Sequence, residues 1–102
     1  MRLNAQKKDT LKRELVDCLR TEKAVRKIVI FGSFLSSDDP HDLDIVVFQD
    51  SAAPYLPLAM KYRRKTRSVA RRIPLDILPL KFQTSDDPFL AEVTKGEVVY
   101  ER

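Results

Sequence analysis

At 102 residues with a formal net charge of +4, from 19 basic and 15 acidic residues, the chain is predicted to be one domain over 1–102 with a single modest core. Its 43% apolar content argues against disorder, and no apolar run approaches the ~18–20 residues needed to cross a bilayer, so no membrane partner is expected. The lone cysteine, Cys18, excludes an internal disulfide framework, and the polar opening MRLNAQKKDTLKREL reads as no secretory signal; a cytoplasmic location is expected.

Residues 4–22 predict a helix, because Leu11, Leu15, Cys18 and Leu19 follow the three-and-four spacing of an amphipathic stripe. On that stripe Cys18 reads as a small core residue. Ala24 to Phe31 predicts a strand buried on both faces, since Ile28, Val29 and Ile30 run without a polar break. Ser36 to His41 is turn chemistry, followed by a second apolar strand over Asp42 to Gln49. Asp50 or Ser51 can cap a helix that continues past Pro54 and Pro57 to Arg71, with Leu58, Ala59, Tyr62, Thr66, Val69 and Ala70 facing inward. Ile73 to Leu80 predicts a third strand, and its two prolines place it at an edge or leave its ends partly unpaired. A last helix over 88–95, capped from Ser85, Asp86 or Asp87, ends at Gly96, which can take the left-handed conformation. A short strand over Glu97 to Glu101 closes the chain. This order implies an α/β (α+β) domain: a small mixed β-sheet flanked by helices, with the helices on one side.

Charge is unevenly spread. Between Lys61 and Arg72 there are seven basic residues and no acidic one, which leaves 12 basic against 15 acidic elsewhere, a net of −3. Such a segment can bind RNA phosphates, a triphosphate tail or an acidic protein, or form a plain solvated face. It lacks the interleaved aromatics of a base-stacking surface.

The carboxylates are the stronger signal. Asp42 and Asp44 are two residues apart, which in a strand puts both on one face, roughly 6.5–7 Å apart along the chain. Asp76 interrupts the next apolar strand between Leu75 and Ile77. A carboxylate inside an apolar strand is costly unless compensated, and two such intrusions invite one explanation. If the strands are neighbours, the three acids can converge on one or two divalent cations, for which all-oxygen donors suit Mg²⁺ or Mn²⁺. Gly32 and Ser33 follow the first strand directly. A glycine there permits close backbone approach, and the exposed N–H groups with the Ser33 hydroxyl can hold phosphate oxygens. A phosphate cradle facing metal-binding acids is the arrangement a nucleoside triphosphate requires.

Gly32-Ser33, Asp42-Leu43-Asp44 with Ile45-Val46-Val47 behind it, and Asp76 in LDILPL together resemble the nucleotidyltransferase superfamily with the DNA polymerase β-type core. The short length and the ending FLAEVTKGEVVYER are similar to the minimal nucleotidyltransferases (MNT). The resemblance implies that Gly32 and Ser33 bind the triphosphate, that Asp42 and Asp44 hold metal, and that Asp76 helps hold the catalytic metal and can activate the attacking hydroxyl. It further implies transfer of a nucleoside monophosphate, AMP from ATP, to a protein or RNA hydroxyl, and a HEPN-type protein partner of which this chain is the antitoxin. The chain departs from the family after the GS pair, where FLSSDDPH carries no Gly, Arg or Lys, and only eight residues separate Ser33 from Asp42. That acidic loop sustains a rival reading, a catalytically silent module that neutralises its partner by occlusion. A weaker rival is nucleotide addition to a tRNA end, with the basic segment 61–72 on the RNA. Asp38, Asp39 and His41 read as loop residues, and Tyr55 and Tyr62 as packing residues.

Overall fold

The computed structural model describes residues 3–81 and 95–102. Its elements in chain order are α1 (Ala5–Leu19), β1 (Val25–Phe31), α2 (Ser33–Ser36), β2 (Leu43–Gln49), α3 (Tyr55–Lys65), α4 (Arg67–Ala70), β3 (Leu75–Lys81) and β4 (Glu97–Glu101). The strands form one sheet in the order β3-β2-β1-β4. β1 runs antiparallel to both β2 and β4, whereas β2 and β3 are parallel, so the sheet is mixed as expected. A parallel pair needs a crossover, and α3 with α4 supplies it.

α1 starts where Asn4 accepts a hydrogen bond from the Lys7 N–H at 2.8 Å, satisfying one of the otherwise unpaired first-turn donors. Its Leu11, Leu15 and Leu19 are buried in the main core. The helix stops at Leu19, short of the expected Glu22, and Glu22 lies beyond the turn at 20–21, where it reaches Lys61 and Lys65 of α3. Cys18 is half-buried on the flank of α1, with its Sγ 3.9 Å from Ser68 Oγ, rather than in the core.

Alternation along the strands divides the apolar side chains between two faces. Ile28 and Ile30 of β1, Leu43, Ile45 and Val47 of β2, and Ile77 of β3 join the leucines of α1, Leu58 and Tyr62 of α3, and Val69 of α4. Val29, Val46 and Phe48 form a second cluster with Phe31, Leu78 and Leu80. The described helices therefore pack on one face. The central strands are buried on both, as their unbroken apolar runs require. β3 is an edge strand, and Pro79 faces Val47 within its parallel register.

The crossover departs from expectation in three places. One helix was predicted to Arg71, but it breaks at Thr66 (φ −105°, ψ 15°) between α3 and α4. The buried Thr66 hydroxyl donates to the Tyr62 carbonyl at 2.8 Å, competing for the acceptor that the backbone N–H also uses, an arrangement that bends helices. Ala70 is exposed, not inward. Neither Asp50 nor Ser51 caps α3: Asp50 pairs with Arg26, Ser51 Oγ accepts from the Ala53 N–H, and Pro54 holds the N-cap position with no side-chain bond. The helix expected over 88–95 lies outside the described residues except for Lys95, which is in a turn. Gly96 does not take a positive φ; among the described residues only Gly32 does.

Candidate active site

The site is assembled at one end of β1, β2 and β3. β1 ends at Phe31, which is the register partner of Asp44 in β2. The chain then turns through Gly32, whose φ of 83° and ψ of −160° lie in a region that side-chain-bearing residues rarely adopt. A Cβ built on Gly32 would stand 2.9 Å from Asp44 Oδ2. Glycine is thus required here both for its backbone freedom and for the space the carboxylate occupies.

Immediately after this turn, Ser33 opens the single-turn helix α2, an element that the sequence pattern does not predict. Ser33 is exposed, and the helix's first hydrogen bonds are donated by Leu35 to the Gly32 carbonyl and by Ser37 to the Ser33 carbonyl. The Ser33 and Phe34 N–H groups come before those bonds, in the positions a helical turn leaves for an external acceptor. Phe34 is fully buried in the main core and anchors the turn beneath them.

Asp44 and Asp76 are register partners across the parallel β2–β3 pair. Both alternate with core residues, so they lie on the sheet face that carries Val46, Phe48, Leu78 and Leu80, away from the helices. Asp44 is half-buried and Asp76 exposed. Burial raises the Asp44 carboxyl above its ordinary range. The negative charge of Asp76, a hydrogen bond with Asp76, and the charge of Asp42 push it the same way. Asp42 is exposed and falls just before β2 rather than within it. The structure therefore joins Asp44 with Asp76 and Gly32, and leaves Asp42 within electrostatic reach at the rim. Among the described residues, no three His, Cys, Asp or Glu side chains close into a ready metal cluster. The donor set still fits Mg²⁺ or Mn²⁺, because such ions commonly take one or two carboxylates and complete their shell with water and substrate phosphates. The two crowded carboxylates are what a divalent cation would neutralise.

The residues between the two halves of the site have other duties. The Leu3 N–H donates to the Asp38 carbonyl, and the Asp39 N–H donates to Ser37 Oγ, so this loop is tied to the start of α1 and to itself. His41 is exposed. Tyr62 is buried, and its phenol is pushed up to about 12, first by burial and then by Glu22 and Asp50. Tyr55, expected to pack, is 56% exposed. A groove of about 580 Å³ lies beside Leu3, Lys7, Leu11 and Arg72 and contains none of the three acids.

One residue of the site region was missed from sequence. Lys8 on α1 donates from Nζ to the Ser37 carbonyl at 2.6 Å and stands 5.5 Å from the centre of the Phe34 ring. It braces α2 from 29 positions away, and no local pattern marks it among the other lysines of α1.

The family model described as Polymerase beta, Nucleotidyltransferase matches residues 13–102. A search of curated proteins found no match. Among solved structures, the chain is similar to one described as tri-AMPylated Shewanella oneidensis HEPN toxin in complex with MNT antitoxin. The TM-score is 0.67 at 18% identity, covering 93% of this chain and 73% of the other. It is also similar to the toxin–antitoxin MntA-HepT, with a TM-score of 0.64 at 17% identity over 92% of this chain and 73% of the other.

Proposed function

The chain belongs to the Polymerase beta nucleotidyltransferase family, and from that premise we propose that it is a metal-dependent nucleotidyltransferase serving as the antitoxin of a HEPN–MNT pair. It takes AMP from ATP and places it on a hydroxyl of its protein partner in the cytoplasm, acting as a single minimal domain. The observation that carries this reading is the packing of Asp44 against both Asp76 and Gly32. It sets a carboxylate pair beside the turn that can hold phosphates. Two solved structures of like fold are toxin–antitoxin complexes, and one holds an AMPylated HEPN toxin, which supports the choice of acceptor.

In this reading the Ser33 and Phe34 N–H groups and the Ser33 hydroxyl hold the triphosphate oxygens. Asp42, Asp44 and Asp76 would hold the divalent cation, which supplies charge neutralisation and Lewis acidity at the α-phosphate. Asp76, exposed on the edge strand, accepts the proton of the attacking hydroxyl. The acceptor oxygen bonds to the α-phosphorus as the bond from that phosphorus to the bridging oxygen breaks, and pyrophosphate leaves.

A second reading, neutralisation by occlusion alone, is favoured by two features: the acids do not close into a three-ligand cluster, and Asp38 and Asp39 stand exposed after the phosphate turn. One experiment separates them. The protein is incubated with α-labelled ATP, Mg²⁺ and the product of the adjacent open reading frame, the candidate HEPN-type partner. Label on the partner that vanishes in Asp44→Asn and Asp76→Asn supports transfer. Full neutralisation by both variants, without label, leaves occlusion as the function.

A further inference from the structure

The acids and the phosphate turn leave the crossover helix unexplained. α3 buries Leu58, Ala59 and Tyr62, yet Leu56 is 62% exposed and Met60 50% exposed. These two are four residues apart, and Arg63 and Arg64 follow at three and four, so all four share one outward face. Of the other basic residues nearby, Lys61 and Lys65 pair with Glu22 and Arg72 pairs with Glu14, while Arg67 and Arg71 are exposed beyond the end of α3. Arg63 and Arg64 are exposed and make no ion pair among the described residues. The stripe is therefore divided, apolar toward the start of α3 and cationic toward its end, over roughly 12 Å of helix.

We propose that this face of α3 docks a partner protein through an acidic, amphipathic segment, whose apolar side chains cover Leu56 and Met60 and whose carboxylates meet Arg63 and Arg64. The proposal rests on the reading that the chain works with a HEPN-type partner, and it names the surface on which that partner sits. Charge complementarity selects the occupant. α3, YLPLAMKYRRK, has no acidic residue, so a second copy meeting it helix to helix would set arginine against neutral or basic side chains. A nucleic acid would match a uniformly basic stripe, but half of this one is aliphatic and offers phosphates nothing. Exposed Met and Leu beside unpaired Arg combine the anchor and the rim charge of a protein interface.

The test uses the product of the adjacent open reading frame, the candidate HEPN-type partner, as the probe and measures its affinity for the wild type, for Leu56→Ser/Met60→Ser and for Arg63→Glu/Arg64→Glu, at low and high salt. All four side chains are exposed, so the fold is expected to survive, and circular dichroism checks this. Each pair is expected to weaken binding by about tenfold or more. The Arg pair should also remove most of the salt dependence. Unchanged affinity in both pairs overturns the docking surface while leaving the partner reading intact. A wild type that does not bind the probe overturns both. Loss in these variants of binding to a single-stranded RNA, or of self-association, with partner affinity unchanged, assigns the face to that occupant and overturns the proposal.

Discussion

Asp44 and Asp76 stand side by side across the parallel pair of strands, and burial together with the neighbouring Asp76 charge raises the Asp44 carboxyl. Like charges directly opposite one another in a sheet are destabilising by about 0.2–1 kcal/mol. Asp76→Asn is therefore expected to make the metal-free protein more stable by that order, a few degrees in melting temperature, while abolishing label transfer. Thermal melts in EDTA check the first half. Added Mg²⁺ should stabilise the wild type and not the variant. A variant less stable than wild type in EDTA would show that the two carboxylates are not in conflict.

Gly32 tests the same corner from the backbone side. Gly32→Ala must hold a conformation that costs about 1–3 kcal/mol without glycine, and its methyl group meets Asp44 Oδ2. A denaturant titration should report a loss of that size. In the double variant Gly32→Ala/Asp44→Ala the contact is gone but the backbone strain remains, so only part of the loss should return. Full recovery would assign the whole cost to the contact.

Lys8 is expected to matter through α2. Lys8→Met gives up one hydrogen bond and one ring contact, together about 1–2 kcal/mol. The effect should be concentrated in amide exchange over residues 33–37, with little change in the sheet. Lys8→Arg should retain most of the protection. Uniform acceleration throughout the protein would mean that Lys8 acts on global stability alone.

Glu22 sets an acid limit. Burial pushes its carboxyl up, but hydrogen bonds and charge from Lys61 and Lys65 outweigh that and hold it below the ordinary range. The folded form thus binds its proton less readily than the unfolded one. Its contribution is present above the ordinary carboxylate range and is lost as pH falls through the lowered folded value. Wild type should lose stability in that acid window faster than Glu22→Gln. At neutral pH the variant should be weaker by about 0.5–1.5 kcal/mol. Parallel pH-melt curves for the two proteins would overturn the assignment.

Much of this was legible in the chain because alternation and helical spacing report on single elements. The apolar runs around Ile28–Ile30 and Ile45–Phe48 announced central strands, the prolines of β3 announced an edge, and an aspartate inside each of two apolar strands announced a shared face. What sequence could not give were relations between elements. The pairing of Asp44 with Asp76, rather than an even gathering of three acids, depends on a parallel register that no spacing encodes. The Lys8 brace depends on how α1 crosses α2. The helix break at Thr66 turns on one side-chain bond to Tyr62, and residue type alone does not fix the backbone at Gly96. Cys18 and Ala70 lie at the margins of their apolar stripes, and spacing alone does not say how much of a stripe's width is buried.

The crossover has a consequence for the order in which the site can form. β1 and β2 can meet as local antiparallel neighbours, which brings Gly32 to Asp44 early. Asp76 can join only after the chain has travelled through α3 and α4 and closed a long loop, the slower kind of contact. The Gly32 turn and Asp44 are thus expected to come together first, with Asp76 joining them later. A substitution in Tyr62 or Thr66, remote from every acid, can in this way delay or loosen the site without altering any residue in it.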